Sequence, residues 1–261
     1  MNIKIIFYGI GRGLDLSIPA YQKLLIKPLE SWFNVEVFHF LQREKYLKNL
    51  RSNEFGELKV PSKTFKGKEP EIYDFNEGNN KELISNVLSS KCLHNDDHAS
   101  SLNLLKQLSL LSKAKEVLHN DDIVFACRDD LLLQSKLNIV FNLLKKIKKD
   151  EVIVPHLHWH NGINDRFIIS NGKNMRNILS RIDLIDKVIS IKGGINGEYL
   201  MHQAIIEHSL KVLSLPIKLS RVRINNKVVK ESRIIPIHRP YEISRILLSF
   251  LNTLNAILRV Y

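Results

Sequence analysis

The sequence predicts an α/β protein built on a mixed, mostly parallel sheet with helices on its faces. Apolar or alternating segments of strand length are separated along the chain by segments with the apolar period of a helix, and this order is typical of parallel sheets. The 261 residues, of which 44% are hydrophobic, can bury one large core. We therefore expect residues 1–261 to form a single domain.

Each element is predicted from its local pattern. Strands are expected at residues 3–8, 34–41, 123–128, 151–155, 167–170 and 217–224. Helices are expected at residues 17–32, 100–118, 137–149, 172–182, 196–212 and 241–261. Residues 51–80 have no clear period and are expected to form a long loop or insertion. The helix at 241–261 is amphipathic, so it either packs on the domain or rests on an anionic membrane surface.

Charge and cysteine content limit the partners and the compartment. Lys and Arg exceed Asp and Glu by 12, which favours anionic partners such as nucleotide phosphates, anionic lipids or nucleic acid. Nucleic acid is the least expected of these, because the sequence has no concentrated basic stripes with interleaved aromatic residues. Cys92 and Cys127 give no disulfide framework, and the first apolar stretch is too short for a secretion signal, so we expect a cytoplasmic protein.

Polar residues follow two of the strands predicted for the sheet. Gly9 and Arg12 come after the first strand, and Arg128, Asp129 and Asp130 end or follow the apolar strand "IVFACR". Ligands of open α/β sheets bind at the carboxyl ends of the strands. The glycine turn either presents Arg12 to a diphosphate or is a plain turn. The two carboxylates either hold Mg²⁺ or Mn²⁺ or belong to a solvated turn.

The stretch "HLHWHNGINDRF" at 156–167 carries two kinds of candidate side chain. His156, His158 and His160 share one side of an extended chain and form either a zinc site or part of a half-exposed strand. Asp165 is the better candidate for chemistry, because a carboxylate after a glycine-containing loop can remove or orient the proton of a sugar hydroxyl. The alternative for Asp165 is an Asx turn.

Two later features suit an anion or a helix end. Glu198 lies near the start of the helix predicted at 196–212, where an acid is favoured in any protein. Arg221 and Arg223 share one side of the last predicted strand, where they suit either a phosphate or acidic residues of a neighbouring strand.

Taken in order, these motifs resemble those of bacterial and viral glycosyltransferase-like proteins linked to lipopolysaccharide, capsule and other surface glycans. The motifs of that family read G-x-x-R, R-P-D-L, N-D-R-F and H-S-E. This chain has their counterparts at 9–12, 128–131, 164–167 and 196–198, and the resemblance covers most of the chain, thinly between 45 and 95. The chain departs from the family where Asp129 replaces the proline and where Asn196 and Gly197 replace His-Ser, which puts the role of Glu198 in doubt.

The resemblance implies a GT-A type of fold and a glycosyltransferase that uses a nucleotide-sugar donor. Together with the strand-end argument, it implies that the donor is bound by Gly9, Arg12, Arg128, Asp130, Arg221 and Arg223. A divalent cation, Mg²⁺ or Mn²⁺, would be held by Asp129 and Asp130. Asp165 and Glu198 would be catalytic, and His160, Asn164 and Arg166 would lie on the acceptor side. Alanine at Asp130 or Asp165 is expected to abolish transfer and to leave the fold intact.

The implied acceptor is a surface glycan or glycolipid, reached from the cytoplasm with peripheral contact to the inner face of the cytoplasmic membrane. Two other functions stay open. A metal-dependent nuclease would explain the histidine-rich stretch and the net charge. A non-catalytic glycan- or membrane-binding relative of the transferase would explain the change at Asn196 and Gly197.

Overall fold

The computed structural model describes residues 1–49, 53–58, 64–156, 162–230 and 240–258. The strands in these ranges are β1 (Asn2–Gly9), β2 (Asn34–Gln42), β3 (Tyr46–Asn49), β4 (Glu54–Glu57), β5 (Glu71–Tyr73), β6 (Ile123–Arg128), β7 (Leu131–Leu133), β8 (Glu151–Pro155), β9 (Phe167–Asn171), β10 (Lys211–Leu215), β11 (Leu219–Val222) and β12 (Val228–Lys230). The helices are α1 (Leu14–Tyr21), α2 (Lys27–Glu30), α3 (Lys81–Ser89), α4 (Ala99–Ala114), α5 (Asn138–Leu144), α6 (Gly172–Leu179), α7 (Ile185–Lys192), α8 (Gly197–Glu207) and α9 (Pro240–Leu258).

A seven-stranded sheet forms the centre, in the order β10-β8-β9-β6-β1-β2-β5. Its pairings are parallel except those of β9, which runs antiparallel to β6 and β8. The predicted mixed, mostly parallel sheet is therefore confirmed. Tyr8 pairs with Arg128, and Cys127 pairs with Phe167. Because β9 is reversed, its first residues lie at the same edge of the sheet as the last residues of β1 and β6.

Both faces of the sheet are covered by helices, which explains the almost continuous apolar runs of the central strands. Ile5 and Phe7 point into a core shared with α1, α2, α5 and α9. Ile6 and Tyr8 point the other way, into a core shared with α4, α6 and α8. Successive side chains of a strand alternate between the two faces, so β1 contributes to both cores.

Three predictions of element type or extent are wrong. The helix expected at 196–212 ends at Glu207, and Ser209, with a φ of 51°, leads the chain into β10 at the edge of the sheet. The helix expected at 137–149 ends at Leu144, before its run of lysines. The loop expected at 51–80 contains β4 and β5, and β5 extends the main sheet beside β2. Strands of three to five residues are too short to show a clear period in the sequence.

The C-terminal amphipathic helix is present as α9 and packs on β10. The backbone N–H of Ser214 donates a hydrogen bond to the hydroxyl of Thr253 (2.8 Å). Ala256 is buried in the core, whereas Phe250 and Leu254 are exposed. Among the helices that the structure describes, none is long and apolar enough to cross a bilayer.

Candidate active site

A cavity of about 780 Å³ opens at the sheet edge where β1 and β6 end and β9 begins. Most of the residues singled out in the sequence meet there, although they come from distant parts of the chain. Those that line the cavity are Gly9, Arg12, Arg128, Asp129, Asp130, Asp165, Arg166, Glu198, Arg221 and Arg223. The facing wall comes from the end of β2, from β3 and from α4, and includes Gln42, Tyr46, Asn103 and Gln107.

Asp129 stabilises the glycine turn that follows β1. Its Oδ2 accepts a hydrogen bond from the Gly11 N–H (2.9 Å), and its own N–H donates to the Tyr8 carbonyl oxygen (3.0 Å). A Cβ on Gly9 would lie 2.0 Å from Asp129 Oδ1, so this approach requires glycine. The Nε2 atom of His39 lies 3.6 Å from Asp129 Oδ2. Gly9 and Asp129 thus fix the turn that carries Arg12 into the cavity.

Asp130 is enclosed by guanidinium groups. Its Oδ2 accepts hydrogen bonds from Arg12 Nε (3.0 Å) and from Arg12 Nη2. Arg128 donates from Nε to Oδ1 (2.9 Å) and from Nη2 to Oδ2 (2.7 Å). Burial by itself would raise the pKa of Asp130, but the charges of Arg128, Arg12 and Arg221 hold that pKa well below its usual range. Asp130 is therefore an anion at every physiological pH.

Another buried carboxylate, Glu54 of β4, links Arg12 to Arg223. Its Oε2 accepts hydrogen bonds from Arg12 Nη1 (3.0 Å) and Arg223 Nη1 (2.5 Å), and its Oε1 accepts one from the Ile224 N–H (3.1 Å). These bonds tie the hairpin of β3 and β4 to the end of β11. Arg12, Arg128, Arg221 and Arg223 together form a guanidinium cluster in the cavity.

The carboxylates expected to hold a divalent cation do not fit one. Both oxygens of Asp130 accept guanidinium N–H groups, and Asp129 is bonded to the turn after β1. A Mg²⁺ ion needs unoccupied oxygens at about 2.1 Å. In the part of the chain that the structure describes, no three His, Cys, Asp or Glu side chains are grouped as metal ligands. In this arrangement Asp129 anchors the turn after β1 and Asp130 anchors Arg12 and Arg128.

A carboxylate pair, Asp165 and Glu198, lies at the start of β9 and α8 together with two more arginines. Arg166 Nη2 lies 3.5 Å from Glu198 Oε1, and Arg181 Nη2 lies 3.8 Å from Asp165 Oδ2. Burial and then the charge of Asp165 raise the pKa of Glu198, while Arg166 opposes the shift. The titration of Glu198 is thereby moved toward neutral pH.

The Asn196-Gly197 pair has a clear role at this point. The Asn196 side chain caps α8 by accepting a hydrogen bond from the Tyr199 N–H (2.7 Å). A Cβ on Gly197 would lie 2.1 Å from Asp165 Oδ2. The residues that replace His-Ser therefore start the helix and leave room for Asp165, and they bring Glu198 into the cavity.

The remaining predicted residues lie outside this group. Asn164 is 2% exposed, and its Oδ1 accepts a hydrogen bond from the Arg166 N–H (2.9 Å). The Asx-type turn considered for Asp165 is thus formed by Asn164. The Nδ1 atom of His156 lies 3.0 Å from the Leu215 carbonyl oxygen, which extends the pairing of β8 with β10. His158 and His160 lie outside the described residues.

Sequence reasoning missed Glu54 and Arg181. Arg181 follows α6, is fully buried, and donates from Nη1 to the Ile178 carbonyl oxygen (3.0 Å). Its only sequence signal is an arginine among the apolar residues of a helical segment. Asp165 has a further contact besides Arg181, since the Tyr8 hydroxyl donates a hydrogen bond to the Asp165 carbonyl oxygen (2.8 Å). Glu54 carries no such signal, because it lies in a stretch without a period.

Comparison with known proteins gives similarity to solved structures only. No family model and no curated protein matches the sequence. The chain is similar to the galactosyltransferase LgtC in complex with donor and acceptor sugar analogues (10% identity, 80% of this chain and 73% of that chain, TM-score 0.44). It is also similar to mouse xyloside xylosyltransferase 1 (8% identity, 82% and 85%, TM-score 0.43).

A further similar structure is a putative glucose-1-phosphate thymidylyltransferase from Bacillus anthracis in complex with a sucrose (7% identity, 85% of this chain and 90% of that chain, TM-score 0.38). With TM-scores below 0.5, these overlaps are partial.

Proposed function

We propose that the protein is a glycosyltransferase that moves a sugar from a nucleotide-sugar donor to a hydroxyl group of a glycan. One observation carries this proposal: the guanidinium cluster and the carboxylate pair line the same cavity. Guanidinium groups suit a departing phosphate, and a carboxylate with a raised pKa suits proton removal from a hydroxyl. Glycosyl transfer from an activated donor uses both functions, because the leaving phosphate must be stabilised and the acceptor proton must be removed.

The donor side is formed by the guanidinium cluster. In the transfer step, the bond between the anomeric carbon and the phosphate oxygen breaks, and its electron pair stays on the departing diphosphate. Guanidinium groups stabilise that growing charge, because their positions are already fixed by Asp130 and Glu54 before the donor arrives. Gly9 contributes by allowing the turn that carries Arg12.

The acceptor side is formed by the carboxylate pair. The acceptor oxygen forms the new bond to the anomeric carbon, and its proton passes to Glu198, whose pKa is raised. Asp165 lies beside Arg181 and orients the acceptor hydroxyl. Arg166 forms an ion pair with Glu198, and the Asn164 side chain stabilises the turn before β9. The acceptor-side role of His160 is proposed from the motif resemblance alone.

The acceptor proposed from the motif resemblance is a surface glycan of the lipopolysaccharide or capsule type, carried on a lipid at the inner face of the cytoplasmic membrane. Two features support peripheral contact there. Phe250, Leu251 and Leu254 of α9 are exposed, and Trp32 is 70% exposed with Lys145 Nζ lying 5.1 Å from its ring centre. Apolar and basic side chains of this kind bind anionic membrane surfaces.

A thermal-shift screen of UDP-, GDP-, CMP- and dTDP-sugars tests the proposal. A ligand that binds only the folded state adds about 2.7 kcal/mol of stability at a hundredfold excess over its dissociation constant. We expect one nucleotide family to raise the melting temperature and to lose this effect in Arg128→Gln. If DNA raises the melting temperature and no nucleotide sugar does, the result favours the nuclease and the proposal fails.

A further inference from the structure

We infer that the guanidinium cluster binds a diphosphate group directly, without a divalent cation. The inference rests on the proposed function for the identity of the donor. It concerns how the same cavity neutralises the diphosphate, and the geometry of the carboxylates is its starting point.

Both oxygens of Asp130 at the sheet edge already accept hydrogen bonds from arginines. Asp130 accepts four guanidinium hydrogen bonds from Arg12 and Arg128. A cation could reach its oxygens only by displacing one of these arginines, which would leave a buried guanidinium without its counter-charge. Asp129 is 1% exposed, its Oδ2 accepts the Gly11 N–H, and its Oδ1 lies against Gly9.

The exposures of the side chains around Asp130 and Glu54 point the same way. The side chains of Asp130 and Glu54 are 2% and 4% exposed. The side chains of Arg128 and Arg223, which are bonded to them, are 20% and 17% exposed. A ligand that enters the cavity therefore meets positive guanidinium groups, with the negative carboxylates behind them.

The net charge of the cluster suits an anionic diphosphate. Four guanidinium groups outnumber the three buried carboxylates beside them, Asp129, Asp130 and Glu54, so this part of the cavity keeps a net positive charge. The diphosphate of a nucleotide sugar carries about two negative charges, one for each phosphodiester. Arginine binds phosphate oxygens with paired N–H groups in a fixed plane. The cluster thus supplies both the charge and the donors that a bound cation would otherwise supply.

Isothermal titration calorimetry of UDP, GDP, ADP, dTDP and inorganic pyrophosphate, each in EDTA and in Mn²⁺, tests the inference. We expect the best-binding nucleoside diphosphate to bind in EDTA with a Kd within about threefold of its value in Mn²⁺. Removing a charged hydrogen-bond donor should weaken this binding by at least about tenfold, so Arg128→Gln and Arg223→Gln should both show this loss.

Arg43→Gln is the matched control. Arg43 pairs with Asp74 at the surface, where both side chains are more than half exposed (60% and 67%), and it does not line the cavity. The Kd of the nucleoside diphosphate for Arg43→Gln should stay at the wild-type value. The melting temperature of each variant identifies loss of folding, and Arg223→Gln keeps the test valid if Arg128→Gln does not fold.

Three results separate this inference from the proposed function. Binding that requires Mn²⁺ or Mg²⁺, or that survives both arginine substitutions, overturns the inference and leaves the transferase proposal standing. Binding of pyrophosphate in EDTA without binding of any nucleoside diphosphate supports the inference and overturns the nucleotide-sugar donor. Absence of binding by every ligand overturns both.

Discussion

Glu198 and Asp165 share one wall of the cavity, and the charge of Asp165 adds to burial in raising the pKa of Glu198. The two carboxylates are held differently. Asp165 has Arg181 behind it in the protein interior, whereas Glu198 faces Arg166 beside the cavity. Two neighbouring carboxylates with different surroundings commonly divide the work of acid–base catalysis. We therefore propose that Glu198 removes the acceptor proton and that Asp165 orients the acceptor.

The first prediction concerns the pH dependence of transfer. The base must be ionised, so activity should fall as the pH falls through the raised pKa of Glu198. Asp165→Asn removes a charge that raises this pKa, and Arg166→Gln removes one that lowers it. The acidic limb of the kcat profile should therefore move to lower pH in Asp165→Asn and to higher pH in Arg166→Gln. Shifts of the same sign in both variants would exclude Glu198 as the group that titrates.

The second prediction separates catalysis from donor binding. Glu198→Gln keeps the shape of the side chain and removes its basicity, so kcat should fall by about 10²- to 10⁴-fold. Donor affinity, measured by calorimetry, should stay near the wild-type value because the guanidinium cluster is untouched. The variant should also be more stable at neutral pH: the pKa of Glu198 is raised in the folded state, so its ionised form opposes folding above its usual pKa. A tenfold loss of donor affinity would instead mean that Glu198 contacts the donor.

The third prediction concerns the buried Arg181. Arg181→Met removes the buried guanidinium that lies 3.8 Å from the Asp165 carboxylate. Breaking a buried pair in this way should lower the free energy of unfolding by about 3–5 kcal/mol, measured with urea. The double variant Arg181→Met/Asp165→Asn should recover part of this loss, because both charges are then removed. Additive losses would mean that the two side chains do not act as a pair.

The fourth prediction revises what is expected of Asp130. Its substitution by alanine was expected to leave the fold intact, but the structure shows a buried anion between two guanidinium groups. Asp130→Asn should therefore destabilise the protein as well as weaken donor binding. The pKa of Asp130 is depressed in the folded state, so the wild type gains stability from it above the usual aspartate pKa and loses that stability as the pH falls further. Urea unfolding between about pH 5 and 2 should show a larger loss of stability in the wild type than in the variant, because other carboxylates with a depressed pKa, such as Asp150, remain in both.

The sequence predicts those features that local pattern determines. The apolar run of β6 marks a central strand, and the Arg-Asp-Asp that ends it lies at the ligand-binding edge as expected. The Asn-Asp-Arg motif arrives at the same edge because β9 is antiparallel, which the sequence alone does not reveal. Most of the proposed residues therefore meet, although the reason is a strand direction that the motifs do not encode.

The features that could not be predicted depend on contacts between distant segments. A pair of adjacent aspartates suggests metal ligands, yet Arg12 and Arg128 occupy the oxygens of Asp130. Glu54 is joined to Arg223 across 169 positions of the chain. Arg181 is charged and fully buried, which contradicts the usual preference of arginine for the surface. No spacing rule in one sequence locates such partners.

The most direct test of the account is the release of free nucleotide from a panel of nucleotide sugars, measured in EDTA with wild type, Glu198→Gln and Arg43→Gln. The account predicts that wild type and Arg43→Gln release nucleotide from one donor family at the same rate, accelerated by a glycan acceptor. It predicts that Glu198→Gln binds the same donor and releases nucleotide at least about a hundredfold more slowly. Equal rates for Glu198→Gln and wild type, or no release from any donor with Mn²⁺ added, would contradict glycosyl transfer at this cavity.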